Sequence, residues 1–303
     1  MNKRQKQELS RLGRQGVRFD CPMAQHTTFR VGGLAEALYE ANDLEDLRQV
    51  VAYLNQEDIP YVVVGRGSNL LIKDEGLEGL AILLHGSLAS VKQENKHGLT
   101  VFSGAGLHLV GLLIYCRNSG LGGLEFLAGI PGTVGGAISM NAGAFGKEIG
   151  EKVKEIRVVN ARGDVLVTKR SRLKFSYRAL QIQKGSVIIG ACLMVDKDTE
   201  EIVAQRIAGY MKKRKERQPL EFPSAGSIFK NPPNDYAGRL IEQVGLKGTK
   251  IGGAMISEKH ANYIINTGGA KAKDILGLMC VAREKVRKET GITLEPEIQV
   301  IGR

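Results

Sequence analysis

The chain has 303 residues, 43% of them hydrophobic and 25% charged, a composition typical of a globular protein. No apolar run is long enough to span a membrane, and the basic N-terminus lacks the apolar centre of a secretory signal, so we expect a cytoplasmic protein. The net charge of +11 favours anionic partners. Aromatic residues are only 5%, tryptophan is absent and no nucleic-acid-binding motif appears, so polyphosphate small molecules fit at least as well as nucleic acid.

Neither cysteine nor histidine spacing predicts a metal site. The four cysteines are far apart and form no paired metal or redox motif, so we expect buried free thiols. The histidines show no metal-ligand spacing, and we expect no structural metal. The residues concerned are Cys21, Cys116, Cys192 and Cys280, and His26, His85, His97, His108 and His260.

The first part of the chain predicts a small α/β unit that ends near residue 85. A basic N-terminal helix precedes the phrase HTTFRVGGLAEALYEA, whose loose alternation indicates a half-buried strand. Asn42-Asp43 is an N-cap signal before a helix with apolar positions at helical spacing. Tyr61–Val64 is predicted as a buried strand, and Leu70–Ile72 as the next strand.

The middle part predicts a second unit, up to residue 198. Strands are expected at Leu99–Phe102 and Ser186–Val195, with a helix at Leu107–Asn118. The strands Val153–Asn160 and Asp164–Thr168 flank a hairpin signal.

The last part predicts a third unit, residues 199–303, which begins with a long helix from Thr199 to Glu216. This helix carries the basic cluster Lys212–Lys215, which we expect to lie mostly on a solvated face. Further helices are predicted at Ala237–Val244 and Ala272–Glu289, with strands near Ala254–Ile256, Tyr263–Ile265 and the segment ITLEPEIQVIG. The whole is an α+β protein of two or three domains.

A glycine-rich stretch, Ile130–Gly146 (IPGTVGGAISMNAGAFG), is the most unusual part of the chain. Glycine weakens strand interiors, and Pro131 with the paired glycines makes the stretch a poor ordinary helix. It offers bare backbone that a flat or anionic group can approach closely. We expect a large cofactor to lie against it.

Two shorter glycine patterns compete as phosphate-binding loops. Gly104-Ala105-Gly106 follows a strand and opens a helix, but its third glycine is misplaced for a dinucleotide fingerprint, so an ordinary turn explains it better. Gly65-Arg66-Gly67-Ser68-Asn69 links strand to strand, and its backbone N–H groups can form a nest for a pyrophosphate. Taken alone, the latter equally fits a tight turn.

Several motifs in one order resemble a known family. VVVGRGSNLLI followed by IPGTVGGAISMNAGAFG resembles the flavin-binding domain of vanillyl-alcohol-oxidase (PCMH) type proteins. Within that group the chain is most similar to the UDP-N-acetylenolpyruvoylglucosamine reductases, from HTTFRVGG through FSYR and PSAGSIFKNP to LEPEIQVIG. The resemblance implies an α+β fold with FAD-binding subdomains at residues 1–85 and 86–198 and a substrate-binding domain at residues 199–303. This division leaves open that the last strand packs with the FAD-binding part.

The same resemblance implies the cofactor and its contacts. Non-covalent FAD is expected, with its pyrophosphate at the Gly65–Asn69 loop and its flavin ring against the glycine-rich stretch. NADPH is implied as co-substrate. The implied cofactor-binding residues are Gly65, Arg66, Gly67, Ser68, Asn69, Ile130, Pro131, Gly132, Thr133, Gly135, Gly136, Asn141, Ala142 and Gly143.

The implied reaction reduces the enolpyruvyl group of UDP-N-acetylglucosamine enolpyruvate to give UDP-N-acetylmuramate for peptidoglycan synthesis. Hydride addition pushes electrons toward the substrate carboxylate, and Arg178 in FSYR suits the binding of that carboxylate. Ser227 in SAGSIFKNP matches the proton donor. Glu297 in LEPEIQV matches the catalytic acid, and we expect only Glu297, of the pair with Glu295, to face the site.

Three further residues match substrate contacts, and one family feature is missing. Tyr177, Lys215 and Asn231 are the implied substrate-binding residues, the last two at the diphosphate. One class of the family has a longer loop after the arginine, with a tyrosine that closes over the substrate. The short segment between Arg178 and the next strand contains no tyrosine, so the chain resembles the class that lacks this loop.

Two other functions remain open on sequence alone. One is a flavin oxidase of the same fold that uses oxygen, although such an enzyme does not need the serine and C-terminal glutamate together. The other is a nucleotide-binding module without catalysis. A monomer is expected, acting on small molecules and not on nucleic acid or membranes.

Overall fold

The computed structural model describes residues 1–94 and 99–303, so that His97 lies outside the described residues. Seven α-helices among them are Lys3–Leu12 (α1), Leu44–Gln56 (α2), Leu109–Asn118 (α3), Val134–Ser139 (α4), Glu200–Arg217 (α5), Ala237–Gln243 (α6) and Ala272–Thr290 (α7). The α+β fold class is confirmed. No helix in the described part of the chain is both long and apolar enough to cross a membrane.

Twenty strands accompany these helices in the described ranges. They are Val17–Pro22 (β1), Leu34–Ala41 (β2), Tyr61–Val63 (β3), Leu70–Ile72 (β4), Leu77–Leu84 (β5), Val91–Gln93 (β6), Thr100–Gly104 (β7), Leu121–Gly122 (β8), Gly143–Ala144 (β9), Lys147–Glu148 (β10), Val153–Val159 (β11), Val165–Lys169 (β12), Lys174–Ser176 (β13), Ala179–Gln181 (β14), Val187–Met194 (β15), Asp196–Lys197 (β16), Lys250–Ile251 (β17), Ala254–Ile256 (β18), Ile264–Asn266 (β19) and Gln299–Ile301 (β20).

The chain forms two compact units, each assembled from separate stretches. Unit 1 comprises Met1–Phe19, Ala37–Arg66 and Gly79–Lys213, and unit 2 comprises Asp20–Glu36, Gly67–Glu78 and Arg214–Arg303.

Unit 1 is built around an antiparallel sheet of order β12-β11-β15-β7-β6. Most of a second sheet, of order β1-β2-β5-β3, also belongs to this unit. Apolar residues from α2, α3, α4 and both sheets share one core. Asp43 caps α2 as predicted, because its carboxylate accepts from the Glu45 and Asp46 N–H groups.

Unit 2 has its own core around α6, α7 and the sheet β17-β18-β19. Strand β20 pairs in parallel with β4, with Gln299 opposite Leu70. The end of the LEPEIQVIG motif therefore pairs with β4, the strand that follows the Gly65–Asn69 loop. Of the segment predicted as a strand, only Gln299–Ile301 forms a strand; before it, Pro296 forms a single isolated bridge and the backbone around it is irregular.

Several local predictions need correction. The glycine-rich stretch contains α4, a short helix that includes Gly135 and Gly136, and the Thr133 side chain caps it by accepting from the Gly136 N–H. Strand β3 is half-exposed and not buried. Cys21, Cys116 and Cys192 are buried thiols as expected, whereas Cys280 is exposed on α7.

Candidate active site

Two of the segments predicted to bind the cofactor meet in unit 1. A Cβ atom built on Gly65 would lie 2.5 Å from Thr133 Oγ1, so only glycine allows this approach. The Arg66 guanidinium lies 3.4 Å from Nδ1 of His108, and His108 forms an isolated β-bridge with Thr133. Burial, with the neighbouring charge of Arg66, lowers the pKa of His108. The imidazole is therefore neutral near neutral pH.

Backbone N–H groups are available where these segments meet. Within residues 1–94 and 99–303, no protein acceptor takes the backbone N–H of Gly65, Arg66, Gly132 or Thr133. Gly65 and Arg66 are solvent-exposed, and Gly132 is half-buried. Backbone donors beside an arginine side chain form an anion-binding arrangement. These residues of unit 1 therefore fit the phosphate groups of a dinucleotide.

Part of the glycine-rich backbone is used within the protein. The N–H groups of Val134 and Gly135 donate to the carbonyls of Leu107 and Ala105, each at 2.8 Å. A Cβ on Gly135 would lie 2.7 Å from that of Ala105. The other predicted contacts in this stretch differ in exposure: Gly136 and Pro131 are exposed, and Ile130, Ala142 and Gly143 are half-buried.

The Gly104-Ala105-Gly106 turn has a packing explanation. A Cβ on Gly104 would lie 2.2 Å from the Leu88 carbonyl oxygen, and one on Gly106 would lie 2.0 Å from that of Leu84. The interpretation of this pattern as an ordinary turn is confirmed.

Asn141 is buried and fully engaged by protein groups. Its Nδ2 donates to Glu148 Oε2 at 2.6 Å and to the Ser176 carbonyl at 3.0 Å, and its Oδ1 accepts from the Gly150 N–H at 3.0 Å. Its φ of 42° is left-handed, a conformation that asparagine tolerates better than most residues. The side chain thus fixes the end of β13, immediately before the predicted substrate-binding residues.

Arg178 lies at the tip of a two-residue hairpin. Ser176 pairs with Ala179, so that Tyr177 and Arg178 are the turn residues between β13 and β14. Arg178 has a φ of 60°, and such strain in a non-glycine residue is frequently kept at functional sites. Its guanidinium lies 5.0 Å from the centre of the exposed Tyr177 ring. A Cβ on Gly143 would lie 3.3 Å from Arg178 Nη1, so the hairpin lies against the end of the glycine-rich stretch.

Ser227 and Glu297 lie on two segments of unit 2 that pair with each other. The Glu297 N–H donates to the Ile228 carbonyl at 2.8 Å, and Phe229 forms an isolated antiparallel bridge with Pro296. Gly226, with a φ of 76°, gives the turn that leads into Ser227. The structure therefore brings these two predicted residues together.

The segment after Ser227 is fixed by Asn262. Its Oδ1 accepts from the Phe229 N–H at 2.9 Å and its Nδ2 donates to the Phe229 carbonyl at 2.8 Å. The Ile228 N–H donates to the Asn262 carbonyl at 2.9 Å. Asn262 is only 3% exposed, so these bonds have little competition from water.

Tyr263, the next residue, lies near three polar groups of this region. Burial raises the pKa of Tyr263 to about 12; the charge of Glu297 also raises this pKa, whereas the charge of Arg214 and the Ser227 hydroxyl lower it. Arg214 is itself buried, which corrects the prediction of a solvated basic cluster for this member.

Glu295 and Glu297 differ in their surroundings. The exposed Glu295 carboxylate lies 3.5 Å from Lys230 Nζ, whereas Glu297 is half-buried near Tyr263. Strand alternation does not explain this difference, because side chains two residues apart on a strand share a face. The irregular backbone around Pro296 separates them.

Asn69 joins the glycine loop to the Glu297 segment within unit 2. Its Nδ2 donates to the Glu297 carbonyl at 3.1 Å, and its own carbonyl accepts from Gln299. Gly67 is buried with a φ of 61°, and a Cβ there would lie 2.2 Å from the His26 carbonyl oxygen. Ser68 between them is half-buried.

The predicted diphosphate contacts also belong to unit 2. Lys215 is exposed, and its carbonyl accepts from Lys259 Nζ at 2.7 Å. Asn231 Oδ1 accepts from the Ala237 N–H at 3.1 Å and thereby holds the start of α6. The Asn231 amide nitrogen takes no part in this bond, so its N–H groups can donate to a ligand.

The sequence did not single out Asn262, Tyr263 or Arg214. Asn262 and Tyr263 lie in the run ANYIIN, where a strand pattern explains both. Arg214 lies in a basic run that is ordinary for an exposed helix. A polar residue inside an otherwise apolar strand was the one available signal, since such a residue needs a partner when it is buried.

Among the described residues, no group of three or more histidine, cysteine, aspartate or glutamate side chains is placed to hold a metal ion. Arg178 and the Gly65–Thr133 contact belong to unit 1, while Ser227, Glu297, Lys215 and Asn231 belong to unit 2.

Comparison with known proteins assigns both parts of the chain to described domains. Residues 35–169 match an FAD binding domain, and residues 218–301 match the C-terminal domain of UDP-N-acetylenolpyruvoylglucosamine reductase (MurB). A reductase of that name from Geobacter metallireducens is 44% identical over 93% of this chain and 93% of its own. The one from Geobacter sulfurreducens is 42% identical over 100% of this chain and 99% of its own.

Solved structures agree with these matches. The crystal structure of UDP-N-acetylenolpyruvylglucosamine reductase from Thermus caldophilus is 35% identical, with a TM-score of 0.81 over 94% of this chain and 98% of that one. p-Cresol methylhydroxylase, at 10% identity and a TM-score of 0.58, shares the fold. The predicted vanillyl-alcohol-oxidase type of fold is thereby confirmed.

Proposed function

Because the chain belongs to the UDP-N-acetylenolpyruvoylglucosamine reductase family, we propose that it reduces UDP-N-acetylglucosamine enolpyruvate to UDP-N-acetylmuramate, with FAD as cofactor and NADPH as reductant. The observation that carries the proposal is the pairing of the Ser227 and Glu297 segments in unit 2, through the bond from the Glu297 N–H to the Ile228 carbonyl. An oxidase that only removes hydride needs no such pair of proton donors.

The residues of unit 1 fit FAD. The N–H groups of Gly65, Arg66, Gly132 and Thr133, which donate to no acceptor among the described residues, suit its pyrophosphate together with the Arg66 guanidinium. Gly136 and Gly143 leave backbone without side chains along the neighbouring stretch. When bound, FAD accepts hydride from NADPH and delivers it to the substrate. The protein supplies binding, orientation and the proton.

Arg178 binds the carboxylate of the enolpyruvyl group in this proposal. Hydride addition to the double bond moves electron density toward that carboxylate, so a fixed cation there stabilises the transition state more than the ground state. A guanidinium also offers a planar pair of donors to a carboxylate. The left-handed backbone of Arg178 and the Asn141 bond to the Ser176 carbonyl restrict the backbone of the hairpin that carries the arginine.

Ser227 donates the proton to the carbon next to the site of hydride addition. A serine hydroxyl is a weak acid, so it can act only on a strongly basic intermediate and from a fixed position. The Asn262 bonds to Phe229 provide that position. Glu297 is assigned the role of the acid that hydrogen-bonds to the substrate carboxylate, which requires its protonated form beside that negative charge.

Tyr177, Lys215 and Asn231 contact the substrate in this assignment. Lys215 is exposed and therefore free to meet a diphosphate, and the exposed Tyr177 ring lies beside Arg178. We further propose a cytoplasmic monomer. The net charge of +11 suits a protein whose ligands are all polyphosphates.

A reaction in two separated steps tests this function. The purified protein should be yellow, and anaerobic NADPH should bleach it. Addition of the enolpyruvyl UDP-sugar should then restore the colour and yield one UDP-N-acetylmuramate per flavin. A protein that holds no flavin after incubation with FAD, or a reduced flavin that only oxygen reoxidises, would contradict the proposal.

A further inference from the structure

The backbone of Glu297 is held on both sides of its α-carbon. Its N–H donates to the Ile228 carbonyl at 2.8 Å, and its carbonyl accepts from Asn69 Nδ2 at 3.1 Å. Because a peptide unit is planar, these bonds restrict the two planes that meet at the α-carbon, and with them the φ and ψ angles of Glu297. The direction in which the side chain leaves the backbone follows from those two angles.

The two bonds come from different segments of unit 2. The Ile228 bond holds the peptide before Glu297 and belongs to the segment that follows Ser227, where Phe229 also forms a bridge with Pro296. The Asn69 bond holds the peptide after Glu297 and comes from the Gly65–Asn69 loop. The acid is therefore oriented from two sides.

Asn69 is itself firmly placed. It is half-buried, and its carbonyl accepts from the Gln299 N–H at 2.9 Å, where the parallel pairing of β4 with β20 begins. Two residues earlier, a Cβ on Gly67 would lie 2.2 Å from the His26 carbonyl oxygen, and the Gly67 carbonyl accepts from the Thr28 N–H at 3.3 Å. The Asn69 amide therefore extends from a backbone with little freedom to move.

We propose that Asn69 is a positioning residue for Glu297, and that its amide sets the direction of the acid toward the substrate carboxylate. The inference rests on the proposed role of Glu297 and adds to the predicted cofactor contacts of the Gly65–Asn69 loop. A donor that acts on a developing charge is most effective when its orientation is fixed before the substrate binds. One loop would thus serve both the cofactor and an acid of the reduction step.

The Asn69 side chain can be removed without disturbing the neighbouring bonds. Asn69→Ala keeps the backbone carbonyl that accepts from Gln299, so the pairing of β4 with β20 remains. The bond from Glu297 to Ile228 and the bridge between Phe229 and Pro296 also remain. The segment that follows Ser227 therefore keeps its partners, and the loss is confined to the peptide after Glu297.

A double-mutant cycle tests whether Asn69 acts through Glu297. Each FAD-loaded protein is reduced with NADPH and mixed with the enolpyruvyl UDP-sugar in stopped flow, so that only molecules containing flavin are observed. We expect Asn69→Ala to slow reoxidation by about 5- to 10-fold, as for one neutral hydrogen bond lost from the transition state. The limiting rate should fall, and the half-saturating substrate concentration should change much less.

The second arm of the cycle uses Glu297→Gln as the starting protein. This protein is itself expected to reoxidise about 10²-fold more slowly, and adding Asn69→Ala should cost less than about 2-fold more, because the acid that depends on Asn69 is already gone. Independent effects would multiply instead.

Ser68→Ala is the matched control, since Ser68 lies in the same loop and is likewise predicted to contact the cofactor. Any effect that this substitution has through the cofactor should multiply with that of Glu297→Gln. Asn69→Asp is a second variant, which keeps the size of the side chain. Its ionised carboxylate cannot donate to the Glu297 carbonyl, so it should reoxidise at least as slowly as Asn69→Ala.

The inference would be overturned if the effects of Asn69→Ala and Glu297→Gln multiplied, because Asn69 would then act through the cofactor as Ser68 does. Reoxidation of Asn69→Asp at the wild-type rate would overturn it as well, and so would wild-type reoxidation of Glu297→Gln, which removes the acid to be positioned. The first two results leave the proposed function intact. That function fails instead if the enolpyruvyl UDP-sugar does not reoxidise the wild-type flavin.

Discussion

Replacement of Asn141 by alanine should damage the hairpin that carries Arg178. The substitution removes two bonds donated by Nδ2, to Glu148 Oε2 and to the Ser176 carbonyl, and one accepted by Oδ1 from Gly150. Neutral bonds contribute about 1 kcal/mol each and a bond to a charged group about 1.5–3 kcal/mol. The left-handed φ of 42° adds about 1 kcal/mol of strain in alanine.

These contributions sum to a loss of about 4.5–6 kcal/mol in the free energy of unfolding if they are additive. Because bonds of one side chain are coupled, we expect about 3–5 kcal/mol, which is large for a single substitution. Urea denaturation followed by circular dichroism, with linear extrapolation, measures it. The KM for the enolpyruvyl UDP-sugar should rise as well, because Ser176 immediately precedes the hairpin turn.

The control is Asn118→Ala, at an exposed asparagine at the end of α3, which should change the free energy of unfolding by less than about 0.5 kcal/mol. Equal unfolding free energies in Asn141→Ala and Asn118→Ala would contradict the expected destabilisation. A strongly destabilised Asn141→Ala with the KM of the wild type would show that the bond to Ser176 does not position Arg178.

Two further predictions concern Glu297 and the buried thiols. Glu297→Gln should retain FAD and NADPH-dependent bleaching but reoxidise with substrate about 10²-fold more slowly, because an amide is a weaker hydrogen-bond donor than a carboxylic acid to the charge that develops on the substrate carboxylate. Stopped-flow absorbance checks this, and unchanged reoxidation would remove Glu297 from the mechanism. Burial raises the pKa of the Cys116 thiol from 9.0 to about 12. Its contribution to stability is therefore fully present below the unfolded value and is lost as pH rises from about 9 toward 12. Above pH 9, the free energy of unfolding should therefore fall with pH less steeply in Cys116→Ala than in the wild type, by about 1.4 kcal/mol per pH unit. Equal slopes in the two proteins would contradict this.

Local signals in the sequence were sufficient for much of the fold. Asp43 before an amphipathic run predicted α2 and its cap, because both depend on contacts within a few residues. The hairpin of β11 and β12 followed from alternation around Ala161-Arg162-Gly163. The burial of β3 was predicted wrongly, since an apolar run does not reveal what covers its two faces.

The glycine-rich stretch shows where local propensity fails. Gly135 and Gly136 disfavour a helix by about 1 kcal/mol each, yet both lie in α4. Bonds from Val134 and Gly135 to Leu107 and Ala105 set the start of this helix. These partners are distant along the chain, so no pattern within the stretch reveals them.

The site was accessible from the sequence only in part. Motif order predicted Ser227 and Glu297 as site residues, and the structure pairs their segments in unit 2; their roles stay predictions. The supporting residues were not identified, because Asn262 and Tyr263 act through distant partners and carry no motif of their own. Asn141 was predicted to contact the cofactor, but its side chain is engaged by Glu148, Ser176 and Gly150. That role as a cofactor contact stays a prediction.

The proposed division of roles is tested most directly by the two half-reactions of Ser227→Ala. NADPH should bleach the flavin of this variant at the wild-type rate. The enolpyruvyl UDP-sugar should then restore the colour at least about 10²-fold more slowly, because hydride addition lacks its proton donor. Equal slowing of both half-reactions, or reoxidation at the wild-type rate, would contradict the assignment of proton chemistry to unit 2.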